Sequence, residues 1–518
     1  MRWRLSGDLT VSRSEQKYRG YHAFDDAGES LAVQTGFTGS NVPFDVFKDS
    51  HAGSSLDFSQ FVLPDVAEAI EPSRTTTKNF ALRLSGPLPW ELPGGAPIVS
   101  ALLEHRQDDL GEIRYEFSPK FFLGTPSLAQ KVNSAYVELL IPVLPAGTNT
   151  SMERLELQVA GRVDTYRTAG ASPYVEFDGV RLAESVSAEN KTKSIDPTVA
   201  VRFHPVNDVT LRASFGTGFL PPSPVQLSAQ TIPDFDYSSV ADPLRGNEPL
   251  LGVNVLSGGN ANIRPEESSS RSAGVILQPR ILPGLRMSVD WTRINKRDGI
   301  ANIGTPDGTN QGLLDAYLSL APERIVRGPP SDGFPVGPIL AWDQTLINIS
   351  SQRVEAWDFG IDYASQFVTL GKFTFQLNAT HISHNESQVT PIDSIEERAG
   401  TLGALKWRAH AVASWEYKSW TTSWGLRWFD RYFVNTLHTV LPEQGSSTVP
   451  SQTYQDARII YRMVNGQYPK FMNGLEFQFA ALNVFKQVPP VDVQYTNYYS
   501  PFGDPRLRSW TFTVKKIF

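Results

Sequence analysis

The chain has 518 residues, of which 19% are charged, 11% aromatic and none cysteine, with a formal net charge of −7 and a pI near 5.7. The acidic balance and the lack of a basic stripe exclude general nucleic-acid binding, and the missing cysteines exclude disulfide frameworks, cysteine-held zinc and thiol nucleophiles. No apolar run approaches the roughly 20 residues of a membrane-spanning helix, so little charge and many aromatics point to alternating strands, which a hydropathy average hides.

Alternation begins at once. From Arg2 to Ser12 the apolar Trp3, Leu5, Leu9 and Val11 oppose Arg4, Ser6, Asp8 and Thr10, the period-two pattern of a strand. An exported barrel would begin with a basic, then apolar, leader. A strand stands there instead, so either the protein is not exported or its upstream part lies outside this chain. Further strands are expected at 74–85, 98–106, 132–143, 155–166, 197–204, 209–219, 268–278 and 285–293. The pattern continues at 354–365, 372–381, 405–417, 420–429, 454–463, 475–485 and 508–518, about 16 strands in all. In the last of these Trp510, Phe512, Val514 and Phe518 share one face, and the length and aromatic end suit a tilted bilayer crossing.

The connections alternate between long and short. Long irregular segments are expected at 14–73, 220–266 and 297–352, whereas PVND, VTLG and the pair Lys418 and Ser419 are tight turns. Outer-membrane barrels have this asymmetry, with short turns on the periplasmic side and long loops outside. A soluble sandwich or propeller also alternates apolar and polar residues but has no reason to sort its loops by length. Trp407 and Tyr417 share a face ten residues apart, which at a tilt near 45° is about 23 Å along a membrane normal. That matches the spacing of two aromatic girdles, and Trp420 and Trp428 repeat it on the next strand.

Three segments carry a family resemblance. LRASFGTGFLPPSPVQL (211–227), GNANIRPEESSSRSAGV (259–275) and ALNVFKQVPP (481–490) with the aromatic terminus resemble signatures of the TonB-dependent receptors of Gram-negative outer membranes. The resemblance covers essentially the whole chain. It implies an all-β, transmembrane, antiparallel up-and-down β-barrel, of whose roughly 22 strands about 16 are present here. It also implies that residues 1–518 are the carboxy-terminal portion of such a barrel, without the amino-terminal plug and the TonB-contacting segment. Lys516 departs from the family pattern, which has an apolar or aromatic residue there.

The motifs are architectural. Pro221, Pro222 and Pro224 stop pairing where a strand leaves the sheet, and Gly216 and Gly218 either admit a plug or ligand or simply pack tightly. His381 and His384 form an H-x-x-H, but an offset of three on a continuing strand puts them on opposite faces. The acidic pairs Asp25 and Asp26, and Glu396 and Glu397, read as solvated loop charge. There is no G-x-S-x-G, H-E-x-x-H or calcium loop, so no enzyme, cofactor or metal is expected. A mixed-sign interior is expected from Arg162, Asp164, Arg212, Arg286, Asp290, Asp358, Asp362, Lys406, Arg408 and Arg427.

The expected function is energy-coupled uptake of a scarce solute, such as a siderophore or carbohydrate, at the cell outer membrane. The resemblance implies as partners the outer-membrane lipid, the barrel assembly machinery, an unidentified small-molecule ligand, and the TonB energy-coupling complex through the plug. Ligand contacts are expected in 14–73, 220–266 and 297–352, and the assembly signal in Trp510, Phe512, Val514 and Phe518. A complete 16-stranded passive porin and a soluble β-rich binding protein are the alternatives.

Overall fold

Period-two patterning builds strands that can satisfy their backbone groups only on neighbouring strands, and here each wall strand takes its chain neighbours. A computed structural model describes residues 3–16, 68–69, 73–118, 121–144, 154–181, 186–303, 309–434, 444–463, 469, 472–494 and 498–516. Sixteen strands form one antiparallel wall. They are β1 (Arg4–Gln16), β2 (Ser73–Pro87), β3 (Ile98–Leu110), β4 (Leu128–Leu144), β5 (Arg154–Ala171), β6 (Ser187–Val206), β7 (Val209–Leu220) and β8 (Glu266–Leu277). After them come β9 (Leu285–Ala301), β10 (Ile347–Phe367), β11 (Gly371–Gln388), β12 (Trp407–Tyr417), β13 (Trp420–Phe429), β14 (Gln452–Arg462), β15 (Leu475–Leu482) and β16 (Ser509–Lys516). The two-residue strand Glu396–Glu397 joins the wall on β11. This is the up-and-down topology expected, and all sixteen strands lie where the alternation put them. Among the described residues no ladder joins β1 to β16.

Several strands run further than expected, whereas β15, expected at 475–485, ends at Leu482. Strand β6 was expected at 197–204 but begins at Ser187, and β11 was expected at 372–381 but runs on to Gln388. The added residues lie toward the long connections, where both faces are polar, so no apolar period marks them. Ladder pairing extends them regardless: Ser187 to Asp196 pair with Ala171 to Arg162.

Cross-strand register sorts the two faces. One outward row runs Leu285, Tyr363, Phe375, Ala413, Trp424, Ala457, Ala481 and Trp510 across β9 to β16. Toward the short turns a parallel row runs Phe373, Trp415, Thr422, Ile459, Phe479 and Phe512. Toward the long connections Trp291, Trp357, His381 and Trp407 form the upper aromatic row. Trp424 is 41% exposed, Phe479 43% and Phe512 66%, an apolar surface that water would not tolerate at this extent.

The inner face carries a set of cross-strand ion pairs. Arg212 on β7 makes a bidentate contact with Asp290 on β9, at 2.8 and 2.6 Å, across the intervening strand β8. Gly274 on β8 makes this possible: a Cβ there would lie 1.8 Å from the Asp290 carboxylate. Arg286 pairs with Asp362 at 3.4 Å, Arg427 with Asp456 at 3.2 Å, and Arg162 with Asp164 at 2.8 Å. Asp358 accepts from Thr380 at 2.7 Å. Gly274→Ala and Asp290→Asn are each expected to cost about 0.5–1 kcal/mol. The double variant should cost little more than either, because both remove the same contact. Urea unfolding in lipid vesicles measures this, and additive losses would show that Gly274 acts elsewhere.

Candidate functional site

The long connections leave the same end of the wall, and two of them are not irregular as the sequence suggested. Segments 220–266 and 297–352 fold together into one lobe. The first supplies the hairpin Ala229–Asp242 and Glu248–Gly258. The second supplies helix α1 (Asn310–Leu320) and the strands Ile325–Arg327 and Ile339–Asp343, the latter pairing parallel with Glu248–Gly258. The helix starts where the Thr309 side chain accepts from the Gly312 amide at 3.0 Å. Its buried residues Leu314 and Tyr317 stand three positions apart, on one face. They meet Trp342, which is fully buried between the Tyr237 and Tyr317 rings, each centred 5.3 Å away. Burial pushes the Tyr317 hydroxyl up to about 12.

Charged staples join the two segments. Asp242 accepts two bonds from Arg327, at 2.5 and 3.0 Å, and its side chain also accepts from the Leu244 amide. Arg245 is 2% exposed and donates to Glu248, to the carbonyls of Ser331 and Val336, and to Asp332. The Ser331 hydroxyl and the Arg245 guanidinium hold the Asp332 carboxyl below its usual range. Gln311 of α1 clamps Ala241 by accepting from its amide at 2.8 Å and donating to its carbonyl at 3.1 Å. No period-two pattern marks these residues in the sequence. Thr309 followed by apolar residues at helical spacing, and the apolar strand before Trp342, were the available signals.

The lobe leans over the inner face. The turn Pro224–Gln226 packs on β4 and β5, and a Cβ at Gly170 would sit 2.0 Å from the Pro224 carbonyl oxygen. Gly216 and Gly218 face the side chains of Thr198 and Ser268, where an added Cβ would lie 3.2 and 3.3 Å away, which favours tight packing for both. Segment 14–73 lies mostly outside the described residues, as do Asp25, Asp26 and Phe518. Trp510, Phe512 and Val514 line the outward face of β16, all more than half exposed.

His381 and His384 do not lie on opposite faces as their offset of three predicts. A bulge lets both Ile382 and Ser383 occupy the space beside Ala356, so His381 opposes Trp357 and His384 opposes Glu355. Both histidines therefore lie on one face. They do not converge, because His381 stacks on Trp407 with ring centroids 4.3 Å apart while His384 meets Glu386 and Glu397. The ligand atoms of His384, Glu386 and Glu397 lie within 4.8 Å of one another. A cation there would compete with Arg353 for Glu386 and with the amides of Asn385 and Ala399 for Glu397.

An outward apolar belt, an inward ionic face and folded long connections at one end define an outer-membrane type of β-barrel. The family model described as TonB-dependent receptor-like, β-barrel matches residues 2–484, and the chain belongs to that family. No curated protein sequence matches it. Among solved structures, the pyoverdine outer-membrane receptor FpvA from Pseudomonas aeruginosa is 13% identical with a TM-score of 0.51, over 88% of this chain and 55% of the receptor. The FpvAI–pyocin S2 complex gives 13% identity and a TM-score of 0.52, over 98% of this chain and 54% of that one. The siderophore receptor PirA from Acinetobacter baumannii is 10% identical with a TM-score of 0.45, over 100% and 68%. The chain thus spans little more than half the length of the FpvA structures it matches, and the likeness concerns the fold.

Trp342→Ala is expected to unfold the lobe at a cost of about 3–5 kcal/mol and to leave the wall intact. Limited proteolysis should then cut within 220–266 and 297–352 while heat-modifiable migration of the barrel is unchanged. Uniform loss of both would show that lobe and wall fold as one unit.

Proposed function

We propose that the chain is the barrel portion of an outer-membrane receptor for energy-coupled uptake of a scarce solute, a siderophore, carbohydrate or similar molecule. The match of the receptor-barrel family over residues 2–484 carries this reading. The solved relatives include a receptor bound to pyoverdine, which supports a siderophore as the first solute class to test. The lobe built from 220–266 and 297–352, together with 14–73, is the proposed contact surface for that solute. No catalytic role is proposed.

Strands β1 and β16 each present one edge without a ladder among the described residues, and hydrocarbon does not accept unpaired strand edges. Residues 1–518 are therefore read as a carboxy-terminal portion of the barrel, with further strands and a plug joining at those edges and in the lumen. Energy coupling would reach the barrel through that plug. Deleting the gene from its host should abolish uptake of one labelled solute, and uptake in the parent should stop when the inner-membrane proton gradient is collapsed. Uptake that survives collapse, with steady conductance in planar bilayers, would make the protein a passive pore.

The proposed assembly signal on β16 has one polar interruption. Lys516 shares the outward face with Trp510, Phe512 and Val514, opposite Leu475, at a cost of about 0–1 kcal/mol near an interface. Lys516→Tyr in the full protein is expected to raise the membrane-inserted fraction, measured by heat-modifiable migration. An unchanged fraction would remove Lys516 from the signal.

A further inference from the structure

We infer that an arginine pair on the outward face, Arg271 and Arg293, holds the phosphate of an outer-leaflet lipid headgroup. The inference rests on the membrane reading above. Arg271 on β8 and Arg293 on β9 are direct cross-strand partners. They stand one outward step beyond Ala273 and Trp291, and Trp291 belongs to the upper aromatic row with Trp357, His381 and Trp407. Two residues along a tilted strand raise them about 5 Å above that row. Aromatic rows mark the level of the headgroups, so the guanidinium groups lie among lipid phosphates.

Neither charge has an ion-pair partner among the described residues. Arg271 lies over the Phe215 ring at 5.9 Å and makes no ion pair among the described residues. Among the described residues Arg293 donates only to the Asn295 amide oxygen, at 3.3 Å. Its acidic cross-strand neighbour, Glu355, is already engaged by the Trp291 indole at 3.1 Å and by Arg353 at 3.0 Å. Like charges directly opposite on a sheet repel. A phosphate between two guanidinium groups turns that repulsion into two charge-assisted contacts.

The wall also opens beside the pair. The β6 to β7 ladder ends at Thr198 and Gly216, while β6 continues on β5 and β7 continues on β8. The resulting cleft encloses about 620 Å³, and Lys193, Thr217, Ser269, Asn295 and Arg297 are among its lining residues. Ser269 and Asn295 follow Arg271 and Arg293 on the same face, so a headgroup held by its phosphate would extend its polar part into this cleft.

The test uses nanodiscs of phosphatidylcholine containing phosphatidic acid, with the wild type, an Arg271→Gln/Arg293→Gln double variant, and Lys418→Gln at the opposite end as control. Native mass spectrometry of inserted protein should show phosphatidic acid retained over phosphatidylcholine by the wild type and the control. Retention should fall about tenfold in the double variant. In neutral detergent without anionic lipid the double variant should melt at the same temperature as the wild type or higher, since it relieves repulsion. Equal retention in all three, or a lower melting temperature for the double variant, overturns the inference while leaving the receptor reading intact. Displacement of the lipid by millimolar inorganic phosphate makes this a free-anion site and also overturns it. Failure of the wild type to insert overturns the membrane reading, and the inference with it.

Discussion

Backbone pairing between chain neighbours is the constraint on which the rest of this structure depends. In hydrocarbon an unpaired amide or carbonyl costs several kcal/mol, so a spanning strand must find both partners among strands. Fifteen ladders, each antiparallel and nearly all between neighbours in sequence, supply them from β1 to β16. Once the register is set, residue alternation has only two destinations. The aromatic and aliphatic set goes outward, and Arg212, Asp290, Arg427 and Asp456 go inward.

The inner face shows how small residues serve charge. Gly274 contributes no side chain, and for that reason Arg212 and Asp290 can meet over it from two strands that are not neighbours. Part of the inward row of charges thereby closes into pairs. Among the described residues the outward face above the aromatic row lacks that closure at Arg271 and Arg293, which is why those two residues stand out from the mixed-sign charges around them.

At the long-connection end the governing physics changes from lipid to water. Two segments that are polar on average bury a Trp342-centred core and seal it with Asp242, Arg245 and Arg327. A lobe with its own core can present a preformed surface, whereas loose loops would have to be ordered by a ligand. The turn at Pro224 ties the lobe to the inner face of β4 and β5.

The sequence by itself determined the number, order and facing of the wall strands, because burial in lipid forces a period of two that needs no tertiary information to read. It also carried the family, through segments such as 211–227 and 259–275. It did not reveal how far β6 and β11 climb beyond the apolar belt, since both faces are polar there and only the partner strand extends them. Nor could it place His381 and His384 on one face, because a bulge at Ser383 is a property of two strands in register. The lobe, the crossing of Arg212 over Gly274 and the Arg271 to Arg293 opposition were decided only in the tertiary structure. Each brings together residues whose separation in the chain carries no periodic mark, and contact between them exists only after the ladders have fixed which strand lies beside which.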